Sequence, residues 1–196
     1  MGPPLVPSRP MILAVGVPDH PEAGTAYLPP MVSVRPAEPA DLPALARIED
    51  AGDALFAQRF GPVDWPPAAS GEDRAAEPGF LLVAVEDDHG VVGFAHVLDL
   101  DGHWHLEQIA VDPPHGRRGA GGALLAAVHA EVARRGGTEV TLMTYADVPW
   151  NGPWYATHGY AVIEPLPERL RPFAEAEQRL GMERHGRRVA MVRTVP

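Results

Sequence analysis

The sequence contains no cysteine and no lysine. The first absence removes disulfides, thiol nucleophiles and thiolate metal sites together. The second makes all 16 basic residues arginine, against 26 acidic ones, for a formal net charge of −10. So acidic a chain lacks the basic footprint that nucleic-acid binding needs. Its field favours the approach of a cation such as a protonated amine. No apolar run reaches the roughly 20 residues that span a bilayer. The N-terminus shows no basic stretch followed by an apolar one, so no secretory signal is expected. These features fit a cytoplasmic protein without a membrane or nucleic-acid partner, and they leave a homodimer open.

What is present suits one domain: 196 residues, of which 45% are hydrophobic, can bury a sizeable core. Residues 1–31 are rich in Pro and Gly without a sustained period and read as an irregular extension. Within it, Met11 to Val15 could add a strand. The patterned domain covers residues 32–196. A short strand from Val32 to Arg35 precedes a helix that starts near Leu42, with Leu45, Ile48 and Glu49 along one side. Residues 61–79 read as a long loop that could hold a short helix and serve as a lid. Three strands follow, Phe80 to Val85, Val91 to Leu98 and His103 to Val111, joined by Asp/Gly turns as an antiparallel meander. A helix then crosses to a strand at Val140 to Tyr145. A short helix from Trp150 to His158, a strand at Tyr160 to Ile163, a helix from Glu168 to Leu180 and a strand from Arg188 to Thr194 complete a mixed α/β sheet. No internal repeat is visible.

The stretch LEQIAVDPPHGRRGAGGALL, Leu106 to Leu125, organises the rest. Pro113 and Pro114 end the strand. Residues 116–122 then hold four glycines and two arginines before a run of good helix formers. Backbone N–H groups at such a helix start, beside Arg117 and Arg118, suit an anion such as a phosphate group. A nucleotide P-loop does not fit, because its lysine is missing.

This stretch, the segment DVPWNGPWYATHGY from Asp147 to Tyr160, and the closing strand RRVAMVRT together resemble the Gcn5-related N-acetyltransferase (GNAT) superfamily. The resemblance runs from about Val32 to Val195. It implies an α/β fold whose central mixed, mostly antiparallel sheet of about seven strands is flanked by helices and splayed at its centre. It implies acetyl-CoA as co-substrate, an amine-bearing small molecule or peptide as acceptor, and no metal. By the same resemblance, backbone groups of Ile109, Ala110 and Val111 on a bulged strand pair with the pantetheine arm. Gly116, Arg117, Arg118, Gly119, Ala120, Gly121 and Gly122 hold the pyrophosphate. One departure stands out: the family's Gln/Arg before the first glycine falls on Gly116, with the arginines one residue later.

Tyr155 matches the family tyrosine and is the candidate general acid for the departing thiolate. Asn151, one helical turn earlier, would bind the pantetheine or cap the helix. For the general base there are two candidates, Glu107 and His105, which alternate with His103 along one strand. Glu107 lies where some members of the family carry a catalytic carboxylate, and His105 titrates in the right range. A His-x-His metal pair with Glu107, or a set of solvent-facing polar residues, stay open beside these. Glu49, Asp53, Asp64 and Trp65 fall in segments that line the acceptor side of similar enzymes. Trp154 and Tyr160 read as packing residues, His115 and Arg134–Arg135 as surface or helix-end groups, and Glu175, Glu177 and Glu183 as a solvated face. The sequence thus points to an acetyl-CoA-dependent N-acetyltransferase. A non-catalytic CoA-binding or regulatory module, or a transferase of another acyl group, remain the alternatives.

Overall fold

The computed structural model describes residues 32–196; the candidate strand at Met11 to Val15 lies outside them. The elements are β1 (Val32–Pro36), α1 (Leu42–Phe60), α2 (Gly71–Ala76), β2 (Gly79–Glu86), β3 (Gly90–Leu100) and β4 (His103–Val111). They continue with α3 (Ala120–Arg134), β5 (Glu139–Tyr145), α4 (Gly152–Thr157), β6 (Ala161–Val162), α5 (Arg171–Arg179) and β7 (Arg188–Thr194). The strands form one seven-stranded sheet in the order β1-β2-β3-β4-β5-β7-β6. Every pairing is antiparallel except β4 with β5, which is parallel and needs α3 as its crossover.

Local chemistry accounts for most of these elements. The β3–β4 hairpin turns at Asp101 and Gly102, both at positive φ (54° and 85°), the signature of a type I′ turn that matches strand twist. The Asp99 carboxylate accepts from the Gly102 N–H at 2.6 Å. The first helix is one continuous 19-residue element, where the sequence suggested a patchy one. It buries Leu45, Ile48 and Phe56, together with the carboxylate of Glu49, while Arg47, Asp50 and Arg59 face outward. The long loop does contain a helix, α2. Its N-cap Ser70 accepts from the Asp73 N–H at 3.0 Å, a cap legible in Ser-Gly-Glu-Asp.

The two faces of the sheet are covered differently. On one, α3 buries Leu124, Leu125, Val128 and Val132 against Ala95, Val97, Leu106, Ile109, Val140 and Leu142. On the other, α1 packs on Val83, Phe94 and Ala110, while α5 lays Phe173 and Ala176 inward, with Phe173 against Leu98 and Met143. The late helix is shorter than expected, because residues 168–170 form a 3₁₀ turn before α5 begins. Among the described residues no helix is long and apolar enough to cross a membrane.

Candidate active site

The sheet opens at its centre. β4 and β5 pair only at Trp104–Val140, His105–Thr141 and Leu106–Leu142. Past Leu106 each strand stays paired on its outer side, β4 with β3 and β5 with β7, but they no longer pair with each other. The cause lies in β4. In the β3–β4 register His96 faces Gln108 and Val97 faces Leu106, which leaves Glu107 as the extra residue of a bulge. A bulge bends its strand and raises local twist, so the ladder to β5 ends one residue before it. The bulge expected in this strand is therefore present, at Glu107, just before Ile109 to Val111. Beyond it the Ile109 N–H meets the side-chain oxygen of Gln108 at 3.0 Å.

Buried polar groups without partners gather along this opening. Thr144, on β5 past the last pair with β4, has a buried hydroxyl with no hydrogen-bond partner. The same holds for both polar atoms of the Asn151 side chain and for the Tyr155 hydroxyl. Asn151 occupies the N-cap position of α4, but its side chain makes no capping bond. Gly152 lets this turn lie close on the end of β5: a Cβ there would stand 2.6 Å from the carbonyl oxygen of Ala146. Tyr155 is fully buried, with its ring centroid 5.6 Å from that of Tyr160 and 5.0 Å from that of Trp154. Burial pushes its phenol well above the ordinary value of 10. Orphaned buried polar atoms are costly in a free protein, and a polar chain laid into the slot would satisfy them.

The glycine loop stands at one end of the opening. Val111, Gly116, Arg117, Gly119, Gly121, Gly122 and Trp154 line a pocket of about 120 Å³. Gly119, the N-cap of α3, sits at φ 93°, which glycine adopts freely. Arg117 sits at φ 60°, a left-handed conformation that costs an ordinary side chain energy. Arg118 and Ala120 complete the loop, Ala120 as the buried first residue of α3. His115 is not simply a surface residue: its Nδ1 lies 2.9 Å from the buried Glu86 carboxylate.

The candidate bases stand two residues apart on β4 with different partners, and neither faces open solvent. Glu107 is buried, and its Oε2 lies 2.5 Å from the Arg74 guanidinium of α2 and 3.0 Å from His96 Nδ1 of β3. Arg74 also reaches Glu49 of α1 at 2.5 Å and places its guanidinium 5.4 Å from the centroid of Phe94. His105 is buried elsewhere on this face: Nδ1 lies 3.0 Å from Thr141 Oγ1 and the ring centroid 4.4 Å from that of Phe173. Desolvation holds it neutral, with a pKa down to about 4, so it is a weak base. His103 alone is exposed. The reading of these residues as solvent-facing is thus corrected, because α2 and α5 roof that face. Among the described residues no three acidic or histidine side chains are grouped to hold a metal ion. Glu177 is corrected too. It is buried and paired with Arg188 rather than solvated, whereas Glu175 and Glu183 are exposed.

Sequence reasoning missed Arg74, His96 and Thr144. Nothing marked Arg74 or His96, since long-range pairing of single residues leaves no periodic trace. An aromatic cluster includes Trp65, one of the residues expected on the acceptor side. Phe56 gathers Trp65, Trp150, Phe60 and Tyr145 at ring-centroid distances of 5.8 to 6.0 Å. Glu49, Asp53 and Phe56 share the inner side of α1, whereas Asp64 is exposed. Trp154 and Tyr160 pack as expected, Tyr160 in the core with its hydroxyl 2.9 Å from His129.

A seven-stranded sheet parted at a β4 bulge, with a glycine loop at the mouth of the gap, is an arrangement that can be compared. The model of the acetyltransferase (GNAT) family matches residues 51–160, more than half the chain. The chain belongs to the GNAT family. It is an acyltransferase. Solved GNAT structures share its fold at low identity. The ribosomal-protein-S18-alanine N-acetyltransferase of Escherichia coli is 22% identical, with a TM-score of 0.58 over 84% of this chain and 94% of that one. N-acetylglutamate synthase of Neisseria gonorrhoeae, complexed with coenzyme A and N-acetyl-glutamate, is 19% identical, with a TM-score of 0.59 over 85% of this chain and 35% of that one. An aminoglycoside 6'-N-acetyltransferase complexed with coenzyme A is 16% identical, with a TM-score of 0.57 over 84% and 97%.

Proposed function

We propose that this GNAT protein transfers the acetyl group of acetyl-CoA to a primary amine by direct attack in a ternary complex. The observation that carries the reading is the unpaired gap between β4 and β5, lined by orphaned polar groups and ending at the glycine loop. The pantetheine arm lies along the free edge of β4 at Ile109 to Val111, where main-chain groups pair with it as a strand would. Asn151 and Thr144 supply the polar contacts that the free protein leaves unmade. The pyrophosphate rests on the backbone of residues 116–122 at the start of α3, with Arg117 and Arg118 beside it.

The acceptor enters from the face roofed by α1, α2 and α5. Its nitrogen attacks the acetyl carbonyl, and the carbonyl oxygen takes the Ile109 N–H from Gln108 as negative charge develops. Glu107, at the mouth of the splay, first takes a proton from the acceptor's ammonium, which frees the lone pair that attacks. The C–S bond then breaks, Tyr155 protonates the thiolate, and the surplus proton lost from the nitrogen as the amide forms restores the phenol. A phenol raised by burial stays protonated until that moment, which suits the role. No acyl-enzyme forms, because the chain has no cysteine to carry it.

Acetyl-CoA turnover measured across a library of amines tests the reading. Amide formation that falls at least a hundredfold in Tyr155→Phe is expected. Tight binding of CoA without acetylation of any amine would overturn it.

A further inference from the structure

Two of the four tryptophans stand apart from the others. The indole N–H groups of Trp65 and Trp150 are both buried, and neither has a hydrogen-bond partner. An indole N–H shut away from water ordinarily finds one. Both rings pack on the same residue, Phe56, at centroid distances of 5.8 Å, so the two idle donors belong to one aromatic cluster. That cluster also holds Phe60, Tyr145, Val148, Leu180 and Met182. Its tyrosine, by contrast, is satisfied: the Tyr145 hydroxyl donates to the Met182 carbonyl at 3.1 Å.

The chain sets this cluster against the slot at two points. Tyr145 follows Thr144 on β5, and Trp150 precedes Asn151 at the start of α4. Thr144 and Asn151 are the slot residues with idle polar atoms. α1 makes a third connection. Glu49 is bound to Arg74, which also holds Glu107. Phe56 follows Glu49 on the buried side of the same helix, roughly 10 Å further along at a helical rise of about 1.5 Å per residue. Charge is distributed unevenly over that distance. The carboxylates of Glu49 and Asp53 lie toward the Glu107 end. At the other end Arg59 places its guanidinium 5.8 Å from the centroids of Phe60 and Trp150.

We propose that the cluster holds the body of the acceptor, and that the acceptor is a singly charged primary amine on an apolar, ring-sized body that carries a hydrogen-bond-accepting oxygen. This rests on the reading of the chain as an acetyltransferase of amines. The ammonium stands at the Glu107 end, and the body reaches the rings around Phe56. The oxygen takes the indole N–H of Trp65 or Trp150 and removes the cost of a buried unpaired donor. A second ammonium on the body meets the like charge of Arg59, and idle N–H donors offer it nothing, so polycations are poor acceptors. Residues 62–70 belong to no helix or strand, so Trp65 moves aside to admit the body without breaking a ladder.

The test measures kcat/KM at saturating acetyl-CoA for butylamine, phenethylamine, tyramine and spermidine. In wild type phenethylamine should exceed butylamine by about tenfold, because its ring buries apolar area that the butyl chain lacks. Tyramine should exceed phenethylamine severalfold, since its oxygen takes an indole N–H, and spermidine should fall below butylamine. The double variant Trp65→Phe/Trp150→Phe keeps both rings and deletes both donors. It should erase the advantage of tyramine while phenethylamine keeps about its wild-type value. A packing role alone would lower both amines in the same proportion. Phenethylamine no better than butylamine, spermidine the best of the set, or a tyramine advantage that survives the double variant each overturn the inference and leave the transferase standing. A wild type that acetylates none of these amines overturns the inference; turnover of another amine in the wider library keeps the transferase, and turnover of no amine at all overturns that reading too.

Discussion

Replacing Tyr155 by phenylalanine should do opposite things to stability and to turnover. The hydroxyl is buried in a side chain of 0% exposure and has no hydrogen-bond partner in the free protein. A buried polar group left unsatisfied costs about 1–3 kcal/mol. Removing the oxygen leaves a void smaller than a methyl group, a deficit of under ~1 kcal/mol. The balance is a gain of about 1 kcal/mol for the substrate-free variant, or roughly 2–4 °C in Tm for a chain of this size. The same change deletes the proton donor for the thiolate and should lower kcat by about 10²–10⁴-fold. Urea unfolding without ligand, set beside the acetyl-transfer rate, reads both signs. Saturating acetyl-CoA should shrink the stability difference, because only the tyrosine gains a partner in the slot. A free Tyr155→Phe protein less stable than wild type would show that the hydroxyl is already satisfied and would refute the reasoning.

Three further outcomes follow from particular geometries. Arg117→Gly relieves the left-handed φ of 60° and should stabilise the protein by about 1 kcal/mol, while raising KM for acetyl-CoA severalfold through the lost charge; calorimetric unfolding and initial rates check the two halves. Gly152→Ala puts a Cβ 2.6 Å from the Ala146 carbonyl oxygen, so the chain must shift. A loss of about 1–3 kcal/mol and a drop in kcat through displaced Tyr155 are expected from unfolding and rate measurements. His105 is held neutral with its pKa lowered from 6.5 to about 4, first by burial. The unfolded chain then binds the extra proton between those values, so stability is full above about pH 6.5 and falls with pH down to about 4, by at most about 1.4 kcal/mol per pH unit. A His105→Gln variant should show a shallower acid branch in urea midpoints measured across that window.

The parts legible in the sequence are those written in local chemistry. The strand ends at Pro113, the glycine loop before α3 and the Asp101–Gly102 hairpin depend on neighbours along the chain, and each stands where it was read. Tyr155 and Asn151 stood out through the family resemblance and their four-residue spacing, and both side chains are buried with polar atoms that lack partners. What stayed hidden depends on contacts between distant residues. Arg74 joins Glu49 and Glu107 only because α2 folds over the face that α1 and β4 share, and no periodicity encodes that. The position of the bulge was hidden for a similar reason. Alternation along His103, His105 and Glu107 looks regular, yet the register against β3 slips at Glu107. Burial of His105 likewise depends on Phe173, which lies on a helix almost seventy residues later.

The central claim is transfer of an acetyl group to an amine inside one ternary complex. Initial rates of amide formation, measured with acetyl-CoA and acceptor varied together, test it most directly. The account predicts lines that intersect in the double-reciprocal plot, with one amide formed for each CoA released. Parallel lines, or release of CoA without amide, would contradict it.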